Sequence, residues 1–426
     1  MKGITTRVLI AALVATLVVG CPSRPDQTLD LKRSWVVLSP PYTTGRAGET
    51  ISVCLHLRTR KRTPYIPGRV EIFPSSGKLT GKLFRQGDAI CQRIEITEPK
   101  EVSFAIFVDG KLLKRVPKIR LLDPLDPEKY AESPFAYELA QQFAPIIVQR
   151  VGSSPEADRP IPFDFDENLY PYDNWENTAL YRGPSTVYFS LVETETHAFI
   201  FYFFYYPRHY SLPDRPGFSW ENDWSAVMLI CDRSGRELIP IAVETATSQG
   251  FEQYSFSHSV RPNVEDIEGD AAIWHGRPVI EVSAYDHTPR PLAQPDTERL
   301  RQELLSYPSF VLVPEGMDTR SLPAFMHSLI FPYRLQSFFE RIWKQKDTIG
   351  IGSFEFVRGW KLPELIGGDN ITPDRCQPPW AWDDPDDGMV EAGMWLLDPA
   401  RTVSEHLDLG GEVSLWYTYN PYLGID

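Results

Sequence analysis

Cysteine is scarce in this chain: five in 426 residues, with no pair at the spacing of a zinc site. Nor is there a Gly-x-Ser-x-Gly elbow, a Walker loop, a Rossmann glycine pattern or a His-Glu-x-x-His helix. Those absences remove the commonest hydrolase, nucleotide-binding and zinc-peptidase signatures. Past residue 20 no apolar run is long enough to cross a bilayer as a helix. Positive charge is in deficit, 43 Lys+Arg against 57 Asp+Glu for a net charge of −14. With an export signal, that balance argues against a nucleic-acid partner.

What is present begins with the leader. Lys2 and Arg7 form a positive n-region, and Val8 to Val19 is apolar apart from Thr16. The sequence Leu17-Val18-Val19-Gly20-Cys21 looks like a bacterial lipobox, which makes Cys21 the expected lipid anchor. Acyl chains on Cys21 would hold the protein on a membrane of the bacterial cell envelope, the outer membrane being favoured, facing periplasm or cell surface. The chain then divides into a signal peptide over 1–20, a tether over 21–30, an immunoglobulin-like β-sandwich over 31–122, a linker over 123–132 and a larger β-rich domain over 133–426. Short alternating segments such as Ile51-Ser52-Val53-Cys54-Leu55 and turn signals such as Asp109-Gly110 carry the sandwich assignment. Cys54–Cys91 is the natural disulfide if both lie in that domain, leaving Cys231 and Cys376.

Charge is uneven. Residues 31–120 hold 18 Lys+Arg against 7 Asp+Glu, whereas 121–426 hold 22 against 48. A basic module beside a lipid anchor is drawn to anionic head groups; attraction between the two halves is the other reading.

The run Thr194 to Cys231 is the centre of the chain. Ala198 to Tyr206 is nine residues of Phe, Tyr, Ile and Ala, too short for a membrane helix and rich in strand-favouring aromatics. Pro207, Pro213, Pro216 and Gly217 break the chain into a loop, and Trp224 to Cys231 reads as a second buried strand. Arg208, His209, Asp214, Glu221 and Asp223 gather in or beside that loop.

With its Tyr206-Pro207-Arg208-His209 and Trp220-Glu221-Asn222-Asp223-Trp224-Ser225 segments, this run resembles the core of the necrosis- and ethylene-inducing peptide-like (NPP1-type) proteins. It is also similar to bacterial relatives with a His-Glu-Asn-Asp-x-Glu motif. The resemblance covers under a tenth of the chain. It implies an NPP1-like β-sandwich domain, in a family whose motifs hold a divalent cation and recognise sphingolipid head groups. Asp223 matches a cation ligand; His209 stands where an aspartate is expected, Trp220 where a histidine is expected and Ser225 where a glutamate is expected. A later histidine completes the family's site, here His287, with His258 as runner-up. The implied cofactor is one divalent cation, calcium or magnesium, on His209, Asp223 and His287.

Other clusters are weaker. Asp164, Asp166 and Asn168 have the spacing of a calcium loop but lack its glycine and terminal glutamate, so no EF-hand is present. The tail places Trp380 and Trp382 beside Asp383, Asp384, Asp386 and Asp387. Helices are expected from Ser133-Pro134, with Phe135, Leu139 and Phe143 on one face, after the Asp296 cap, and over Pro332 to Lys346.

The fold expected is therefore mainly β with added helices. The function expected is recognition of a glycan or lipid head group at a loop rim formed by Glu221, Asp223, Trp220, Trp175 and Trp382. A metal-dependent hydrolase using His209, Glu221, Asp223 and His287 is the alternative, and a structural envelope lipoprotein the further one.

Overall fold

The computed structural model describes residues 28–425 except 40–41, 44–49, 99, 115, 122–129, 211–218, 236, 249, 294–296, 357–359, 370–374, 384–391 and 412. Cys21 with the whole leader, Asp214, the Asp296 cap and Asp384 to Asp387 thus lie outside the described residues. The chain separates into two compact units, Met1–Asp123 and Pro124–Asp426. Both are mainly β.

In the first unit a four-stranded antiparallel sheet runs Trp35–Ser39, Thr50–His56, Ala89–Glu95, Lys78–Gln86. A second sheet joins Val70–Pro74, Phe104–Val108 and Lys111–Leu112. Period-two alternation sorts the residues: Ile51, Val53 and Leu55 are fully buried, as are Ile106 and Val108 of the other sheet. Cys54, between them in sequence, belongs to the opposite face, where it lies directly across from Cys91 and is disulfide-bonded to it. Asp109 and Gly110 both take positive φ, the conformation that a two-residue hairpin turn demands.

The second unit is organised on a thirteen-stranded sheet. Its middle runs Gly250–Ser255, Ile239–Thr247, Trp220–Asp232, His197–His209, Ser185–Thr194, Ile330–Ser337, Ser309–Pro314, Ile146–Arg150, Arg277–Val282. The aromatic strand His197–His209 is buried on both faces, which is why its sequence is continuous rather than alternating. Ala198, Ile200, Tyr202, Phe204 and Tyr206 join the core beneath the helix Pro134–Phe143. On the other face Phe201 meets Trp395, Phe203 stacks on Phe338 and Tyr205 packs on Trp224. Each such ring contributes roughly 1.5–3 kcal/mol of burial free energy. The sheet curls: the short strand Pro289–Pro291 pairs with Arg277–Val282 and also lies against Trp220–Asp232 and Ile239–Thr247. That return brings the turn before Pro289 onto the end of the aromatic strand.

Two local expectations are corrected. In the helix Pro134–Phe143, capped by Ser133, the buried face is Ala136, Leu139, Ala140 and Phe143, and Phe135 is exposed. An i, i+4, i+8 spacing drifts around the helix, whereas i, i+3, i+4, i+7 keeps one face. Residues 332–346 are not one helix: the strand Ile330–Ser337 occupies the first half, and Ser337 then caps the short helix Phe338–Arg341. Pairing with Ser185–Thr194 overrides the helical spacing of Leu335, Phe338 and Phe339.

Candidate metal centre

Three segments converge where the aromatic strand ends. Tyr206 is directly across from Asp223, and His209 across from Trp220. Between them Asn222 takes a left-handed φ of 62°, uncommon for a residue with a side chain. Its amide makes that conformation tenable. Nδ2 donates to the Pro171 and Gly367 carbonyls at 2.9 and 3.0 Å, and Oδ1 accepts from Asn174 Nδ2 and the Tyr205 hydroxyl at 2.8 and 2.7 Å. The third segment is the turn Tyr285-Asp286-His287, where Tyr285 and His287 both have positive φ. Asp286 is turned into its own loop, bonded to the Ser283 hydroxyl and the Thr288 amide.

His209, Asp223 and His287 meet there, all buried, their ligand atoms within 4.8 Å of one another. Asp223 Oδ2 is 2.7 Å from His287 Nδ1 and 3.4 Å from His209 Nδ1, and Oδ1 accepts from Trp220 Nε1 at 3.1 Å. The rings are clamped by stacking: His287 on Tyr206 and His209 on Trp220, each with centroids 3.7 Å apart. Behind His287, Nε2 lies 3.2 Å from Asp158 Oδ1, and Asp158 is itself fixed by the Gly152 and Tyr285 amides at 2.6 and 2.8 Å. Burial works to raise the Asp223 carboxyl, but the charge and hydrogen bond of His209 and the hydrogen bond of His287 outweigh it and hold it below the usual carboxylate range. Burial works to lower His287, yet the two aspartates on its two nitrogens raise it above the ordinary histidine value. His287 thus lies between two carboxylates, an arrangement that favours its protonated ring.

The remaining rim residues separate. Glu221 is fully buried and accepts from the Asp369 amide at 3.2 Å, grouped with Glu176 and Asp369 rather than with Asp223. Trp175 is half-buried, and the Arg208 guanidinium lies over it and over Tyr210 at 5.2 and 5.1 Å. Trp382 is no binding face: it is buried, donates to the Gln377 carbonyl at 2.8 Å and packs on Trp395. Asp166 accepts from Asn168 and Asn177, Asp164 faces Arg341 at 3.9 Å, and His258 is exposed, outside the centre. Asp158 escaped the sequence reading; in Ser154-Pro155-Glu156-Ala157-Asp158 it looks like any polar loop residue.

The donor set fits a divalent cation. Two imidazole nitrogens and one carboxylate oxygen lie within 4.8 Å of one another, and the far nitrogen of one imidazole is held by an outer carboxylate, the usual support of a metal-bound histidine. Imidazole-rich sets suit zinc and its first-row neighbours, whereas calcium and magnesium prefer all-oxygen shells. A cation taking His287 Nδ1 displaces a proton.

Neither a described protein family nor a curated protein matches this chain. Solved structures similar to it include the Yersinia pseudotuberculosis adhesin InvE, at 11% identity and TM-score 0.21 over 59% of this chain and 66% of that one. The non-toxic HaNLP3 protein is similar at 13% identity and TM-score 0.25, over 38% of this chain and 71% of that one. NLPPya in complex with mannosamine is similar at 18% identity and TM-score 0.24, over 40% of this chain and 70% of that one. This chain spans somewhat less than two thirds of the adhesin's length. At these TM-scores the likenesses transfer no activity.

Proposed function

We propose that this chain is an exported lipoprotein, anchored through Cys21, that holds one divalent cation on His209, Asp223 and His287 and uses the adjoining rim to bind a polar ligand, a glycan or lipid head group. One observation carries the reading: three donors from separate segments converge in one buried cluster with Asp158 and Trp220 bonded behind them. Such a set costs stability unless the charges find a use, since buried ionised groups are expensive to desolvate. Arg208, lying over Trp175 and Tyr210, offers a charged and aromatic face for a sugar ring or phosphate. The test is binding to glycan and lipid head-group arrays by the wild-type chain, the chelator-treated chain and Asp223→Ala. The expected result is signal on the wild type alone. Equal signal from all three would contradict the reading.

A second reading, a metal-dependent hydrolase, rests on the ligand count. Three protein donors leave coordination open to water, as in catalytic rather than structural zinc sites.

A further inference from the structure

Arg159 follows Asp158 in sequence and has a different set of partners. Its Nε donates to Ser185 Oγ at 3.3 Å and its Nη2 to the Gly183 carbonyl, both neutral acceptors. Its guanidinium lies over the Tyr181 ring, 5.4 Å from the centroid. Among the described residues no carboxylate pairs with it. Asp158 is committed to His287 and to two backbone amides, and Asp164, which bears on Tyr181, faces Arg341. Among the described residues Arg182 nearby donates only to the Ala179 and Tyr181 carbonyls. Burial works against the charge on Arg159, and only Tyr181 opposes it. A half-buried cation without a counter-ion is unfavourable, and an anion joining it would relieve that cost.

Arg159 and Arg182 line a cleft of about 480 Å³ whose other walls include Pro184, Phe310, Leu312 and Phe331. That volume lies in the range of small-molecule sites, and apolar walls with a few fixed polar groups are their usual make-up. We propose that this cleft binds an amphiphile with a single anionic head, carboxylate or phosphate, on an alkyl chain. The fork of Arg159 takes the head and the two phenylalanines take the chain. None of His209, Asp223 and His287 lines the cleft, so this site does not depend on the cation.

The test is calorimetric titration of the purified full chain with a fatty acid, a lysophosphatidic acid, the matching neutral monoacylglycerol and inorganic phosphate, each below its aggregation threshold. The expected result is one anionic amphiphile bound per chain, with the monoacylglycerol and free phosphate weaker by about tenfold or more. Whichever of the two acids binds more tightly identifies the head. Arg159→Gln should weaken the acid by about tenfold to a hundredfold. Arg159 also ties Gly183 and Ser185 together, so Phe331→Asp is the second variant. Phe331 is 53% exposed and its substitution leaves those bonds intact; it should likewise weaken binding at least about tenfold by placing a charge against the alkyl chain. Neutral and anionic amphiphiles binding equally, free phosphate binding as tightly as either acid, or wild-type affinity in a folded variant would overturn the proposal.

Discussion

Asp158 accepts from His287 Nε2 at 3.2 Å, and the other ring nitrogen lies 2.7 Å from Asp223. A residue from a polar loop therefore sets the orientation of a ring whose other nitrogen, Nδ1, would serve a cation. Asp158→Ala is expected to lower cation affinity by about 10- to 100-fold although Asp158 is not a ligand. Asp158→Asn, which keeps an acceptor but loses the charge, should fall between. Competition against a chromophoric chelator measures both; unchanged affinity in Asp158→Ala would remove it from a positioning role.

Asn222 is the hinge of the acidic strand, with a left-handed backbone and four hydrogen bonds from one amide. Asn222→Ala leaves two carbonyls, the Tyr205 hydroxyl and the Asn174 amide without that partner, all in a buried setting. The expected loss is on the order of 3–5 kcal/mol in urea unfolding. A loss under about 1 kcal/mol would show that water replaces the amide.

Glu132 lies apart from the centre. Part of the residue reaches solvent, but its carboxylate is enclosed, bonded to the Ser190 and Ser337 hydroxyls. Burial raises its pKa to about 8, with Glu340 adding to the rise and the serine bonds only partly offsetting it. The folded chain then keeps a proton that the unfolded chain releases above about 4.5, so its contribution to stability falls as pH rises between about 4.5 and 8. Glu132→Gln should gain on the wild type steadily across that window in melting experiments. A constant difference at all pH would contradict the raised value.

The Cys54–Cys91 disulfide closes a loop with a sequence separation of 37. Chain-entropy arguments give it about 4 kcal/mol. Reductant should raise amide exchange in Thr50–His56 and Ala89–Glu95, and Cys54→Ala with Cys91→Ala should do the same without reductant. Protection unchanged by both would mean that the sheet does not need the bridge.

The central strands were legible because they are extreme: nine apolar and aromatic residues followed by Pro207 admit few alternatives, and burial on both faces explains why no alternation appears. His209, Asp223 and His287, grouped from motif order, stand side by side in the structure. What sequence could not supply was direction. Glu221, two residues before Asp223, is carried to a different acidic group past the left-handed Asn222. Trp382, amid aspartates, looked like a surface ring, but its neighbours in space are Trp395 and the Gln377 carbonyl. Asp158 and Arg159 matter only through the curl of the sheet and the packing around it, which no local pattern encodes.

The most direct measurement is the metal content of the chain, purified and then stripped and reloaded with zinc, calcium or magnesium, compared with a His209→Ala, His287→Ala double variant. One zinc per wild-type chain, a melting temperature raised on loading, and none retained by the variant is the expected result. No bound cation in the wild type, or one equivalent retained by the variant, would contradict a centre on His209, Asp223 and His287.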